Sequence, residues 1–284
     1  MHLNIFVSNQ CFNYCLGCYS YSREEKKGCY LRTSIIINFL KYAYSLGIHK
    51  VTLCGGDPLT RKDILSLIKN IKKIGFYISI DTVGNTIIHD FKVNNQIAIP
   101  KIDVWELSKY VDVIGIPIDG STSDIINYFR NTKNNDIAQD QIKICQELIN
   151  ANANICINTV VNKGNINDAV GLSNIIIKLK NVKKWQIFEY IPSGFFGEKY
   201  RERFEISDEQ FLKFKSDLIE IVGDKVKLEF KDVKRRNKLY MLIDNSGNAF
   251  ICNFDSKNRE IVGNINNVND WSKICDNLLM SGKE

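Results

Sequence analysis

The chain has 284 residues, 44% hydrophobic and 11% aromatic, with a formal net charge of +6. It is long and apolar enough to bury one large core, which excludes a disordered chain, and no apolar run approaches the roughly 18 residues that a bilayer span needs. Its start, MHLNIFVSNQ, lacks the charged-then-apolar pattern of a secretion signal, so a cytoplasmic protein without membrane partners is expected. Nine cysteines, an odd number unevenly spread, point to ligand or reactive roles rather than to a disulfide framework.

Short β-branched runs alternate with longer amphipathic stretches. LNIFVS (Leu3 to Ser8) reads as a first strand, and TSIIINFLKYAYSLG (Thr33 to Gly47) as a helix capped by Thr33 or Ser34 and stopped by Gly47. KVTLC (Lys50 to Cys54) is the second strand, followed by a helix from Arg61 to Gly75. FYISIDT (Phe76 to Thr82) leads to a helix near Asp103 to Lys109, and VDVIGIPID (Val111 to Asp119) to one near Gln139 to Ala151. NICINTVV (Asn154 to Val161) leads to one near Asp168 to Lys180, and KWQIFEYI (Lys184 to Ile191) is the sixth strand. Beyond it come a helix with a Ser207/Gln210 capping box, ISDEQFLKFKSDLIEIVG, and two short strands, KLYMLID and NAFICNF, joined by an NSG turn.

Six β/α units in succession argue for an α/β fold with a parallel sheet, since each helix supplies the crossover that parallel pairing requires. Periodicity alone leaves open whether the sheet is doubly wound or a partial barrel. In both, ligands bind beyond the C-terminal ends of the strands. The change of rhythm places a boundary near residue 205, with residues 206–284 as a small α+β extension.

After the first strand comes CFNYCLGCYSYSR (Cys11 to Arg23), with thiols spaced C-x3-C-x2-C; after the second comes GGDPL (Gly55 to Leu59). DTVGN (Asp81 to Asn85) follows the third strand and IDGSTSDIINYFR (Ile118 to Arg130) the fourth. Polar groups and glycines thus gather at one end of the sheet, as a ligand site requires. Three thiols suit an iron–sulfur cluster with one open iron, a zinc site completed by Cys29, or a metal-free redox pair. Gly55 and Gly56 read as a ligand-facing loop or a plain turn, and Arg130 as a ligand contact or a solvated helix residue. The basic run KDVKRRNK (Lys231 to Lys238) reads as a solvated turn rather than a nucleic-acid groove.

Together and in this order, CFNYCLGCYSYSR and VTLCGGDPL resemble the radical S-adenosylmethionine (SAM) superfamily. The resemblance implies a partial (β/α)6 TIM-like barrel in which Cys11, Cys15 and Cys18 hold a [4Fe-4S] cluster and SAM chelates the fourth iron. Gly55, Gly56 and Asp57 then meet the SAM amino group, Thr82, Gly84 and Asn85 lie in the ribose segment, and Arg130 meets the carboxylate. Pro58 and Asp119 belong to the same binding surface, and Pro192 to a segment, YIPSG, that passes the adenine. A zwitterionic ligand does want a carboxylate such as Asp57 and a cation such as Arg130. One departure is Gly17, where most members carry an aromatic residue; Tyr14 or Tyr19 is expected to supply that contact. The CxGCY form is most like the activase of anaerobic ribonucleotide reductase, which is too short for its function to transfer.

The C-terminal half resembles the cap called a SPASM or twitch domain, but with only Cys252 and Cys275 in it no auxiliary cluster is expected. Cys252 reads as a half-buried strand residue or as a catalytic hydrogen donor to a substrate radical, and Cys54, Cys145 and Cys156 as core residues. The implied reaction is reductive cleavage of SAM, with a flavodoxin- or ferredoxin-type electron donor, to a 5′-deoxyadenosyl radical that abstracts hydrogen from a peptide or small-molecule substrate. A ribosomally made peptide is the leading substrate. A viperin-like nucleotide is the alternative, on INTVVNKGNI and IFEY, and a non-catalytic zinc or iron–sulfur protein is a third reading.

Overall fold

A computed structural model describes residues 2–20, 30–253 and 258–280. Cys29, the fourth ligand of the zinc reading, lies outside the described residues. Strand β1 (His2–Ser8) buries Leu3, Ile5 and Val7 on one face, and the period of two recurs in β2 (Lys50–Gly55) and β3 (Tyr77–Asp81). A two-stranded hairpin, β4 (Phe91–Val93) with β5 (Gln96–Ile99), interrupts the rhythm before β6 (Val113–Pro117), β7 (Ile155–Val161) and β8 (Val182–Glu189). After residue 205 come β9 (Leu228–Lys231), β10 (Tyr240–Ile243), β11 (Asn248–Asn253) and β12 (Asn258–Asn264).

The main sheet runs β12-β11-β10-β1-β2-β3-β6-β7-β8-β9. Its six central strands are parallel and adjacent in chain order, with no reversal. Right-handed crossovers between strands that advance in one direction place every connecting helix on the same face, so the sheet curls into a partial barrel rather than a doubly wound layer. Leu3, Leu53, Ile80, Ile116, Ile157 and Ile187 bury their side chains with the helices in the main core. The alternate residues line the concave face.

The extension builds on both edges of this sheet. β9 pairs in parallel with β8, and β10 in parallel with β1, while β11 and β12 add antiparallel strands. Helix Asp208–Val222 carries the expected capping box and packs on helix Ala169–Ile176; Trp271 of helix Trp271–Met280 packs on Phe39 and Tyr42 of helix Thr33–Ser45.

Several boundaries moved for identifiable reasons. Helix Thr33–Ser45 has Arg32 at its N-cap without a side-chain cap, because the Thr33 hydroxyl donates to Asp63 and accepts from Arg61 Nη2 at 2.7 Å. The next helix starts at Ile64 rather than Arg61, since Arg61 is fully buried and donates to the carbonyls of Val7 (3.1 Å) and Leu31 (2.9 Å). The basic run is not all solvated. Asp232 caps helix Val233–Arg236, Lys234 and Arg235 are exposed, and Arg236 turns inward. The β4–β5 hairpin had no counterpart in the sequence reading, and Arg130 ends a helix, Ser123–Arg130; the hairpin turns through Asn94 and Asn95, both at positive φ.

Candidate active site

The loop after β1 lies against the loop after β2. Gly56 N donates to Ser8 O (2.7 Å) and Asp57 N to Gln10 O (2.6 Å). A Cβ on Gly56 would sit 2.1 Å from Gln10 O, and one on Gly55, at φ +120°, 2.5 Å from Ser8 O. The glycines are therefore required for close approach of two backbones. A plain turn does not describe them.

Asp57 does not present its carboxylate outward. It is fully buried, and it accepts from Leu59 N (2.8 Å), Val83 N (2.7 Å) and the Thr82 hydroxyl (2.8 and 2.9 Å). Burial raises its pKa to about 6 despite those hydrogen bonds. Asp57, expected to meet an ammonium, here ties the loop after β2 to the loop after β3. Thr82 is likewise a buried positioning residue, with its hydroxyl accepting from Gly84 N at 3.0 Å. Gly84 takes φ +80° at the start of helix Asn85–Ile88, and a Cβ there would meet Ile144 at 2.7 Å. Asn85 lines a pocket of about 170 Å³ with Phe12, Val83, Thr132 and Gln141. Pro58 opens the buried turn Pro58–Thr60.

Helix Ser123–Arg130 grips the thiol loop from the other side. Leu16 N donates to Phe129 O (3.1 Å), and Asn131 Nδ2 to Tyr14 O (3.4 Å). Arg130 donates from Nε to Asp119 Oδ2 at 2.5 Å and from Nη1 to Cys15 Sγ at 3.7 Å. It is a half-buried ion-paired residue, not the solvated one of the alternative reading. Asp119, also buried, accepts from Val160 N (2.8 Å) through its other oxygen. Burial alone would lower the Arg130 pKa, but Asp119 and Cys15 raise it. Asn165 closes the arrangement by donating to the carbonyls of Asp119 (2.8 Å) and Val160 (2.9 Å). Sequence reasoning missed Asn165, and also Asp168, which accepts from Ser121 N and Oγ, both at 2.6 Å.

The departure at Gly17 has a steric explanation. A Cβ on Gly17 would lie 2.2 Å from Phe129 Cε2 and 2.9 Å from Tyr190 Cε2. The aromatic bulk expected before the third cysteine is supplied by Phe129 and Tyr190, packed with Phe204 and Cys15. Tyr14 and Tyr19 do not supply it. Tyr14 is exposed and meets Phe196, while Tyr19 meets Phe6. Pro192 lies in the loop after β8, which touches the thiol loop at Gly194, where a Cβ would be 2.5 Å from Tyr19 O.

Of the three thiols, Cys15 is buried, Cys18 half-buried and Cys11 exposed. Burial pushes Cys15 up to about 11, with Arg130 opposing; Cys11, though its surface is exposed, is raised well above its ordinary value by desolvation from the protein around it, with Asp57 adding to the effect. Cys18 Sγ lies 3.3 Å from the Ser20 hydroxyl, which donates to Gly55 O at 2.8 Å. Among the described residues no three His, Cys, Asp or Glu side chains converge on one point as a single ion would require. A cubane binds each thiolate to a different iron and needs no such convergence. The donor set, three soft thiols on one loop with a cation beside the most buried, therefore fits an iron–sulfur cluster better than zinc.

The concave face is largely polar. Asn158 Nδ2 donates to Asp81 Oδ1 (3.0 Å), and Glu229 pairs with Lys184 and accepts from Gln186, at 3.2 and 3.0 Å. Asp81 is solvent-exposed, yet surrounding protein raises its pKa through desolvation, as befits a group lining an interior. Cys145 belongs to the main core as expected, and Cys275 lies in it too. Cys54 and Cys156 are buried as expected, but on the inner side of the sheet: Cys54 packs in a smaller core cluster with Phe6, Leu242 and Phe250, and Cys156 lies 3.5 Å from Gln186 Oε1. Cys252 is half-buried beside the same inner cluster.

Residues 5–170 match the family model described as the radical SAM superfamily. An S-adenosylmethionine-dependent nucleotide dehydratase of Flammeovirga pacifica is 24% identical over 220 residues, 75% of this chain and 70% of that protein. A GTP 3',8-cyclase of Clostridium botulinum is 30% identical over 231 residues, 79% of this chain and 66% of the cyclase, so the chain spans just under two thirds of that relative. The fold is similar to native anSMEcpe with bound AdoMet (TM-score 0.70, 16% identity, covering 100% of this chain and 84% of that one). It is also similar to Streptococcus suis SuiB bound to S-adenosylmethionine (TM-score 0.67, 16% identity, 87% and 59%).

Proposed function

Because this chain belongs to the radical SAM superfamily, whose members are enzymes that use a [4Fe-4S] cluster and SAM, we propose that it abstracts a hydrogen atom from a carbon of a peptide substrate. When bound, cluster and SAM supply a 5′-deoxyadenosyl radical after transfer of one electron from a flavodoxin- or ferredoxin-type donor. Cys11, Cys15 and Cys18 are the residues that would hold the cluster. Gly55 and Gly56 bring the GGDPL backbone against that loop, and Asp57 with Thr82 fixes its path. Asp119 orients Arg130 beside Cys15, where the guanidinium is placed to meet a carboxylate as well as the thiol.

The observation that carries this reading is the thiol loop itself, gripped on one side by Gly55 and Gly56 and on the other by Phe129 and Arg130. For the peptide, support comes from the concave face, where Lys184 and Lys231 are engaged with Glu229. One of the similar folds, SuiB, has been solved bound to its precursor peptide SuiA. A nucleotide substrate is the second reading, favoured by the dehydratase and cyclase relatives.

Anaerobic reconstitution with iron and sulfide tests the reading. Brown iron–sulfur absorbance and 5′-deoxyadenosine released from SAM with dithionite are expected, and both should be lost in Cys15→Ala. Reconstituted protein that makes no 5′-deoxyadenosine would sink the enzyme reading. Turnover of CTP, UTP or GTP in the same assay would replace the peptide with a nucleotide.

A further inference from the structure

The pocket of about 170 Å³ lies between the thiol loop and two helices, Asn85–Ile88 and Ile137–Asn150. Its apolar lining includes Phe12, Ile88 and Ile144, which also pack with the main core, so it belongs to the helix layer and not to the concave face. Phe12 and Asn13 directly follow Cys11, and an occupant of the pocket therefore lies against the thiol loop.

The lining carries unspent carboxamides. Gln141 is only 4% exposed, and its Oε1 is buried there with no hydrogen-bond donor. Asn13 and Asn85 are half-buried in the same lining, and among the described residues neither side-chain amide makes a hydrogen bond. Asn134 differs, since its Nδ2 donates to Asp140 Oδ2 at 2.7 Å and its Oδ1 accepts from Asp136 N at 2.9 Å. The two charged groups of the lining balance: Lys133 is exposed at the rim, and Asp140 is half-buried with His89 Nε2 at 4.0 Å.

A buried acceptor left without a donor is costly, and a ligand N–H removes that cost. A carboxamide presents a donor and an acceptor side by side, and it pairs with the edge of a heterocycle that presents both in return. The apolar walls suit ring faces, and the balanced charges suit an uncharged ligand. The volume falls below the roughly 300–1,000 Å³ of sites for drug-sized molecules, which excludes a peptide and fits a single ring system. We propose that this pocket binds the base of a nucleoside, with a base N–H donating to Gln141 Oε1 and with Asn85 and Asn13 on its edges. Such a site is separate from the concave face and does not depend on the radical chemistry proposed there.

Calorimetry on reconstituted, unreduced protein saturated with SAM tests this with adenosine, guanosine, cytidine and uridine. SAM fills its own site throughout, so a nucleoside that binds does so elsewhere. At least one should bind, and its affinity should fall at least about tenfold in Gln141→Leu and more modestly in Asn85→Ala. Gln139→Ala, exposed on the same helix, should bind as the parent does. Because the Gln141 acceptor is unpaired without a ligand, Gln141→Leu should melt no lower than the parent. The nucleoside bound most tightly identifies the base. Failure of all four to bind the parent would mean that the pocket holds water alone and would overturn the proposal. Binding that SAM abolishes, undiminished affinity in Gln141→Leu, equal weakening in Gln139→Ala, or a Gln141→Leu protein that melts well below the parent would overturn it as well. If SAM itself does not bind, that counts against the radical chemistry, and the nucleoside titrations still judge the pocket.

Discussion

Replacing Gly17 by alanine adds one methyl group at the most crowded point of the thiol loop. The new Cβ would stand 2.2 Å from Phe129 Cε2 and 2.9 Å from both Phe129 Cζ and Tyr190 Cε2. Ordinary carbon contacts begin near 3.5 Å, so a ring must retreat by about an ångström. Phe129 has nowhere to go: it is buried against Phe204 and Tyr190, and its carbonyl holds Leu16 N. Gly17 does not occupy the left-handed region, so the cost is overpacking alone, about 1–3 kcal/mol, with the upper half of that range expected here. In a protein of this size that corresponds to a drop in Tm of roughly 3–5 °C. Thermal melts of Gly17→Ala, Phe129→Leu and the double variant form a cycle that isolates the clash. Phe129→Leu should destabilise the parent by leaving a cavity but partly rescue Gly17→Ala, with a coupling of about 1 kcal/mol or more. Iron retained after gel filtration should follow the same order. Additive single effects, or a Gly17→Ala protein that melts with the parent, would refute the steric account of this glycine.

Asp119→Asn should cost about 3–5 kcal/mol, because it strands the Arg130 cation in a buried site; urea unfolding should show Asp119→Leu with Arg130→Met losing less than the single change. Arg61→Met should leave the Val7 and Leu31 carbonyls without their buried donor, costing about 3 kcal/mol and speeding iron loss to a chelator, since those carbonyls bracket the thiol loop. Glu229 is pushed upward by burial, but hydrogen bonds from Gln186 and Lys184 and the charge of Lys231 override this and hold it at about 2, below its usual 4.5. Its folded pKa being depressed, the stabilisation is complete above pH 4.5 and is lost as pH falls towards 2. Glu229→Gln should remove about 1–2 kcal/mol of that dependence, the figure being discounted for partial exposure. Identical acid-unfolding curves for parent and variant would contradict the assignment.

The parts of the fold that the sequence made legible are those set by local period and punctuation. Val51 and Leu53 alternate with Thr52 and Cys54, Gly75 stops its helix at φ +116°, and Ser207 with Gln210 closes a capping box, each through residues a few positions apart. Sequential β/α units and right-handed crossovers then left little freedom in the central sheet. The short β4–β5 hairpin and β9 escaped notice because three- and four-residue strands carry too few alternations to show a period.

At the site, spacing on one loop was enough to pick out Cys11, Cys15, Cys18 and the paired glycines as one motif. What each neighbouring side chain does was decided in three dimensions. Asp57 reads from sequence as a ligand contact, and its role as a buried brace shows only in the fold, where the loop after β3 folds over it and Thr82 and Val83 bond its oxygens. Arg61 looked like the start of a helix and is the arginine that ties both ends of the thiol loop. Gly17 looked like a missing aromatic residue until Phe129, 112 positions later, and Tyr190 were found filling its space. The chain by itself determined the succession of strands and helices, the helix stops and the three-thiol motif, since these depend on neighbours within a turn or a strand. Only the tertiary structure decided that Asp57 is buried, that Arg130 is paired with Asp119 and that Arg236 bonds the Glu189 carbonyl, because burial and charge pairing are properties of contacts that local sequence does not encode.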